Sequence, residues 1–310
     1  ARCAAPKPAT PAAPPRAKRR VLEGFVLMLA RVTTFAVDGV DARRVWVEAD
    51  IRLGLPAFTV VGLADKAVRE ARERVRAAMV NSGFEFPLRR ITVNMAPAYL
   101  RKVGPAFDLP LAVALLVASG QLDAEALEAC AVVGELSLTG EVRPVRGALA
   151  VAEGARRHEL RRLVVPITRA REAALVPDIE IIGASSLEEL VATLNGHAEP
   201  PPIPDEDPET DEPVPDFADV RGHNGLIPGI EVAAAGGHNL FLQGPPGTGK
   251  TMIARRLPSI LPPLERDEAL EVTRIQSIAG VRGGGGLVTA RPFRAPHHTI
   301  SAAGLVGGAN

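Results

Sequence analysis

Apolar and polar positions alternate most clearly over Val45, Val47, Ala49, Ile51 and Leu53. That period of two predicts a half-buried strand. Residues 58–61 suggest a second one. The spacing then changes: Val68, Ala71, Val75 and Ala78 recur at helical intervals among Arg69, Arg72, Glu73 and Arg76. This predicts an amphipathic helix that ends near Gly83. Residues 91–95 read as a strand and 109–119 as a buried helix. Residues 132–138 and 141–145 flank Thr139-Gly140 as the arms of a hairpin would. A helix over 147–158 and a strand over 163–166 follow. Ser186-Leu187-Glu188-Glu189 reads as a capping box opening a last helix, which Gly196 can close. The sum is an α/β or α+β domain without an internal repeat.

Residues 197–217 break the pattern. They are acidic and Pro-rich with no helical or strand period, which predicts a stiff, self-repelling linker. It separates a first domain, 28–196, from a second region, 218–310. Residues 1–20 are dominated by Ala, Pro and basic residues, so 1–27 are expected to form a disordered tail. They lack the serines of a transit peptide, and Glu23 and Gly24 interrupt the apolar run that a signal peptide needs. The first residue is Ala1, Met28 opens the first patterned segment, and the last residues are Gly307-Gly308-Ala309-Asn310. These ends suggest a piece of a longer protein.

Composition narrows the classes. The chain has 310 residues, 46% hydrophobic and 23% charged, with a formal net charge of +0. A global polybasic mode of nucleic-acid binding is not indicated, although a local basic face stays open. Cys3 and Cys130 are too few for a disulfide framework or a multi-cysteine metal site, and they fit a reducing, cytoplasmic compartment. No apolar run approaches the ~18–20 residues of a membrane span, so no membrane partner is expected.

The chemistry concentrates in one stretch. The apolar run 239–243 reads as a strand, and Gly244-Pro245-Pro246-Gly247-Thr248-Gly249-Lys250-Thr251 follows at once. Residues 252–257 read as a helix that can place Ile253, Ala254 and Leu257 on one face. Strand, G-x-x-x-x-G-K-T and helix, in that order, define a P-loop. Gly244, Gly247 and Gly249 let the backbone curl so that successive N–H groups converge on phosphate oxygens. The helix starting near Lys250 adds its positive end. Lys250 is expected to reach the β- and γ-phosphates of ATP, and Thr251 to ligate Mg²⁺. Residues 244–252, including Pro245, Pro246, Thr248 and Met252, form the expected nucleotide site, with Lys250 as its catalytic residue. Hydrolysis also needs an acid at the end of a second strand. The adjacent acidic pair Asp267-Glu268 lies in a charged helical stretch and does not fit. That acid, a sensor residue and an arginine finger are expected beyond Asn310.

With these residues in view, the chain resembles the YifB/ComM family of magnesium-chelatase-like AAA+ ATPases. The resemblance rests on Gly236-Gly237-His238-Asn239, on Arg291-Pro292-Phe293-Arg294-Ala295-Pro296-His297-His298-Thr299-Ile300-Ser301, and on 304–308. In the first domain it rests on 58–63, 74–78, 91–94 and Phe107-Asp108-Leu109-Pro110. It implies a Lon-protease-domain-like α/β fold followed by the first part of an AAA+ module. It also implies a ring, commonly a hexamer, and for ComM-type members a DNA motor acting in branch migration during uptake of foreign DNA. Magnesium-chelatase relatives imply a different role in metal insertion, independent of DNA. A third reading is a module that binds nucleotide and hydrolyses none.

The resemblance has departures. Val220-Arg221-Gly222-His223 is similar to the family's approach to the adenine pocket, but Gly225, Pro228 and Gly229 would weaken the helix expected next. Lon-type proteases use a Ser activated by a Lys. Here Gly104-Pro105-Ala106 puts Ala106 at the nucleophile position, and Arg146-Gly147-Ala148-Leu149 puts Leu149 near the Lys position. Peptidase activity is therefore not expected. Arg69, Arg72, Arg74, Arg76, Arg89, Arg90, Arg101 and Lys102 are candidates for a DNA-facing surface or a solvated helix face. His297 and His298 suit a subunit or DNA interface better than a metal site. Arg282 with the glycines 283–286 could form a substrate loop or a plain linker, and Cys130 a small buried hydrophobe.

Overall fold

A strand that buries every second residue organises the first unit. In the computed structural model, β4 (Asp41–Arg52) keeps Val45, Val47, Ala49 and Ile51 buried. The model describes residues 20–22, 25–27, 29–62, 65–205, 215–281, 285–297 and 299–306. The chain divides into two compact units, residues 1–203 and 204–310.

In the first unit a hairpin of β1 (Arg20–Leu22) and β2 (Phe25–Leu27) precedes β3 (Leu29–Asp38), which pairs antiparallel with β4 along its whole length. The remaining strands of the main sheet are β5 (Ala57–Val61), β6 (Arg90–Ala96), β7 (Cys130–Val132), β10 (Arg162–Pro166) and β11 (Glu180–Ala184). The seven-stranded order is β11-β10-β7-β3-β4-β6-β5. The ladders β11–β10, β10–β7, β7–β3 and β5–β6 are parallel, and β3–β4 and β4–β6 antiparallel. This is a mixed, mostly parallel α/β sheet. Its parallel steps are bridged by helices, as such connections require.

The expected elements form with shifted bounds. Helix α1 (Lys66–Asn81) buries Val68, Ala71, Val75 and Ala78, as the spacing predicts, and ends on Ser82. Asp65 caps it by accepting the Val68 N–H at 2.8 Å. Helix α2 (Asp108–Ala118) is buried on every side. The expected hairpin shrinks to β8 (Glu135–Leu136) and β9 (Val142–Arg143), because Cys130–Val132 is drawn into the parallel sheet instead. Leu53, the last member of the alternating set, lies beyond β4 and is 60% exposed. Helices α3 (Ala148–Arg157), α4 (Ile167–Ala173) and α5 (Leu187–Leu194) complete the unit. Ser186 caps α5, while Glu189 reaches back to the N–H of Ser185, one residue short of the reciprocal bond of a full box.

The two sheet faces differ. Ala30, Val32, Val47 and Ala49 join α1 and α2 in the main core. Phe35 and Ala42 point the other way and meet α3 at Gly154, where a Cβ would lie 3.1 Å from the Phe35 ring. Away from α3 this second face carries polar and charged residues around one aromatic, Trp46: Arg31 and Thr33 on β3, Arg44 and Glu48 on β4, Thr92 and Asn94 on β6.

One ion pair is locked inside. Asp108 is fully buried and accepts from Arg74 Nε at 2.7 Å and Nη2 at 2.9 Å, tying α1 to α2. Burial pushes the Asp108 carboxyl up, and the guanidinium fork opposes that shift. Removing one partner of a buried pair strands the other charge. Asp108→Ala is therefore expected to cost about 3–5 kcal/mol in urea unfolding, and an unchanged midpoint would refute the pair's role. Cys130 is the small buried hydrophobe expected, with its thiol pushed up to about 12 by burial. At pH 8 that leaves roughly one thiolate in ten thousand. The peptide containing Cys130 should resist iodoacetamide until the protein is denatured, and rapid native alkylation would contradict this.

In the second unit, Phe217, Val220, Ile230 and Ile253 form a small core with Ile227, Leu242, Met252 and Leu257 packed on it. Its helices are α6 (Ile227–Ala235), α7 (Lys250–Arg256), α8 (Arg266–Ala279) and α9 (Ala302–Val306). Two expectations are corrected here. A helix does form after His223. It starts beyond Gly225 and places Pro228 in its first turn, where a missing N–H costs no hydrogen bond. Residues 239–243 do not form a strand. Among the described residues this unit contains no strand to pair with them, and Phe241 is 87% exposed.

Candidate functional site

The small core fixes both ends of the Gly-rich loop. Leu242 packs on it from before the loop, and Met252 and Ile253 from after it. Between them the chain turns through Gly244, Pro245, Pro246, Gly247 and Thr248 to Gly249, the residue preceding α7. Gly249 is left-handed, with φ 78°. A Cβ there would lie 3.3 Å from Met252 Cε and 3.4 Å from His223 Nε2. The left-handed backbone favours glycine, while the flexible end of Met252 would have to give only slightly for a Cβ.

The loop's hydrogen bonds define a cradle. The Lys250 ammonium folds back and donates to Gly244 O at 2.9 Å, Pro245 O at 2.7 Å and Thr248 Oγ1 at 3.3 Å. The Thr248 hydroxyl donates to Pro245 O at 3.0 Å. Ile253 N–H closes the first helical turn on Gly249 O at 2.9 Å. The N–H of Thr248 closes the turn over 246–247 on Pro245, while those of Gly247 and Gly249 have no acceptor among the described hydrogen bonds. Thr251 is exposed on the first turn of α7. A tight loop with free amide donors and a cation across it has the chemistry of an anion receptor.

Of the expected nucleotide-site residues, 244–252 lie together here. His223 joins them, at the end of the stretch that the resemblance places on the approach to the adenine pocket. Its carbonyl accepts the N–H groups of Leu226 at 2.8 Å and Ile227 at 3.2 Å, so the chain reverses over 223–227 and swings the imidazole toward Gly249. Asn224-Gly225 was the legible signal for that turn.

Other candidates sit elsewhere. Glu268 is the N3 partner of a capping box with Glu265 at the start of α8, and it pairs with Arg291 at 3.1 Å. Arg291 also donates to Pro262 O at 2.6 Å, pinning the segment it opens to the turn before α8. His297 Nδ1 lies 2.8 Å from Thr299 Oγ1; His298 and 282–284 lie outside the described residues. Among the described residues no group of three or more His, Cys, Asp or Glu could hold a metal ion. Of the eight basic residues that are candidates for a DNA-facing surface or a solvated helix face, two are turned to the interior. Arg74 is committed to Asp108, and Lys102 is buried with its ammonium on Pro97 O. Arg72 and Arg76 lie over Phe58 and Phe86, and the side chain of Arg69 lies outside the described residues. At the former protease position, Pro105–Phe107 forms a single 3-10 turn containing Ala106, and Leu149 is buried with its N–H on Glu172 Oε1 at 2.8 Å. Among the described residues, no helix is long and apolar enough to cross a membrane.

A mixed α/β unit followed by a Gly-rich loop that opens a helix fits the Lon-like domain and P-loop module that the resemblance implies. Comparison with known proteins agrees. The family model described as subunit ChlI of Mg-chelatase matches residues 47–169, and that described as magnesium chelatase, subunit ChlI, matches 216–310. The chain is 47% identical over 283 residues to the uncharacterised protein YifB of Salmonella typhimurium, and 41% identical over 287 residues to the competence protein ComM of Haemophilus influenzae. Each match covers 91% of this chain and 56% of the relative, so the chain spans about half the length of these curated relatives. The Lon protease of Rhizobium meliloti is 27% identical over 173 residues, covering 52% of this chain and 21% of that protein. The chain belongs to the YifB/ComM family of magnesium-chelatase-like proteins.

Gly249→Ala should destabilise the second unit by about 1–2 kcal/mol, the cost of a left-handed backbone for a residue with a Cβ. Urea unfolding checks this, and an unchanged transition would mean the loop relaxes freely.

Proposed function

We propose that residues 244–251 bind the phosphates of ATP and that the whole protein is a ring-forming ATPase that moves on DNA. The observation that carries the nucleotide reading is the cradle itself: the Lys250 ammonium folded across a Gly-rich turn, beside the Gly247 and Gly249 N–H groups, which have no acceptor among the described hydrogen bonds. In this reading phosphate oxygens take those amides, and Lys250 exchanges two carbonyls for a charged partner that binds it more strongly. The Thr251 hydroxyl is a suitable Mg²⁺ ligand, and the ion would neutralise phosphate charge. His223 and Met252 line the side of Gly249 and suit the nucleoside. Pro245 and Pro246 stiffen the loop. DNA as partner and assembly as a hexamer rest on the family resemblance, which kinship with a competence protein supports, and work in the cytoplasm rests on the low cysteine count. A second reading, a subunit of a metal-inserting or protein-remodelling complex, is favoured by the descriptions of both matching family models.

Lys250→Ala should weaken binding of a fluorescent ATP analogue roughly tenfold to a hundredfold, the loss of a charge-assisted hydrogen bond of about 1.5–3 kcal/mol. Wild-type affinity in that variant would refute the assignment. ATP hydrolysis by the whole protein should rise with branched DNA and vanish in Lys250→Ala. Hydrolysis indifferent to DNA would shift the weight to the second reading.

A further inference from the structure

The open face of the first unit's sheet holds the chain's single tryptophan. Trp46 is partly exposed and pairs across the ladder with Thr33. The row on one side of it pairs Phe35 with Arg44, and the row on the other pairs Arg31 with Glu48. A guanidinium arrives from each of these rows: the central carbon of Arg31 lies 4.4 Å from the indole centroid and that of Arg44 4.6 Å. Beyond Arg44, His158 at the end of α3 stacks on Phe35 with ring centroids 6.0 Å apart. Arg157 stands beside it, paired with Asp41 at 3.3 Å. Glu48 meets Arg31 at 3.8 Å, and among the described residues no carboxylate pairs with Arg44.

Arg31 and Arg157 each have a carboxylate partner, so among the described residues the uncompensated cation of the group is Arg44. Burial and the neighbouring Arg31 lower the pKa of Arg44. Burial, Arg44 and Arg157 lower that of His158. Like charges gathered beside aromatic rings, with one cation left without a counter-ion, are relieved by an external anion. The rings also hold the arginines in place, which lowers the entropy cost of using them.

We propose that this face, centred on Arg31, Trp46 and Arg44, binds single-stranded nucleic acid. Phosphates take the two guanidiniums, and unstacked bases lie on the outer planes of the guanidiniums that cover the indole. A flat sheet face with interleaved aromatic and arginine side chains suits splayed bases. A duplex would offer it phosphates but no free base faces, and an acidic peptide would offer charge but no planar groups. The site shares with the proposed function only the expectation of DNA as partner, and it stands or falls on the first unit alone.

The single tryptophan supplies the readout. A 15-nucleotide oligothymidylate should quench Trp46 fluorescence saturably at low salt. A duplex of equal length and a polyglutamate peptide should quench far less. Arg44→Ala and Arg31→Ala should each weaken binding about tenfold, and each should flatten the salt dependence by ~0.7 for every phosphate left without its arginine. Binding of the ATP analogue should stay unchanged in both variants. If Arg44→Ala loses both activities, Arg44→Lys decides: recovered quenching supports the site and none overturns it. Binding without quenching, wild-type affinity in both variants, or equal quenching by duplex or polyglutamate also overturns it.

Discussion

Everything in the first unit follows from the demand that β4 bury alternate residues between two long antiparallel neighbours. Val45, Val47, Ala49 and Ile51 are committed to the core with α1 and α2. The intervening positions are thereby fixed on the opposite face, where Phe35 and Ala42 meet α3 at Gly154. A shift of one residue would turn every one of them over. Trp46, Arg44 and Arg31 are therefore presented together because the apolar set next to them is held. The buried Arg74–Asp108 pair ties α1 to α2 on the covered face.

The second unit applies the same economy to a loop. A core of few residues grips Leu242 on one side and Ile253 on the other, so the chain between them has little freedom. Glycine at 249 then lets Met252 and His223 close in on the backbone. What remains is a curl of amides with an ammonium resting on its own carbonyls. That state is self-satisfied but weakly so, since a charged partner outcompetes neutral carbonyl oxygens for Lys250.

Where periodicity was strong, the sequence was sufficient. The spacing of Val68, Ala71, Val75 and Ala78 located α1, and the G-x-x-x-x-G-K-T pattern located the loop. Its failures have separate causes. The strand expected at 239–243 is a property of pairing, and no local pattern encodes a neighbour. Gly225 and Pro228 argued against a helix, yet position matters more than residue type, and Pro228 falls in the first turn. Local charge suggested that Arg74 and Lys102 face outward, whereas the buried Asp108 and the carbonyl of Pro97 claim them. The Arg31–Trp46–Arg44 cluster was invisible because it joins two strands, and its register comes only with the sheet.

Amide hydrogen exchange of the loop tests the central claim most directly. If phosphates dock on the free N–H groups, adding ATP and Mg²⁺ should slow exchange of the amides over 247–251 and leave those of α1 and α2 unchanged. Exchange over 247–251 that is indifferent to saturating nucleotide would contradict the account.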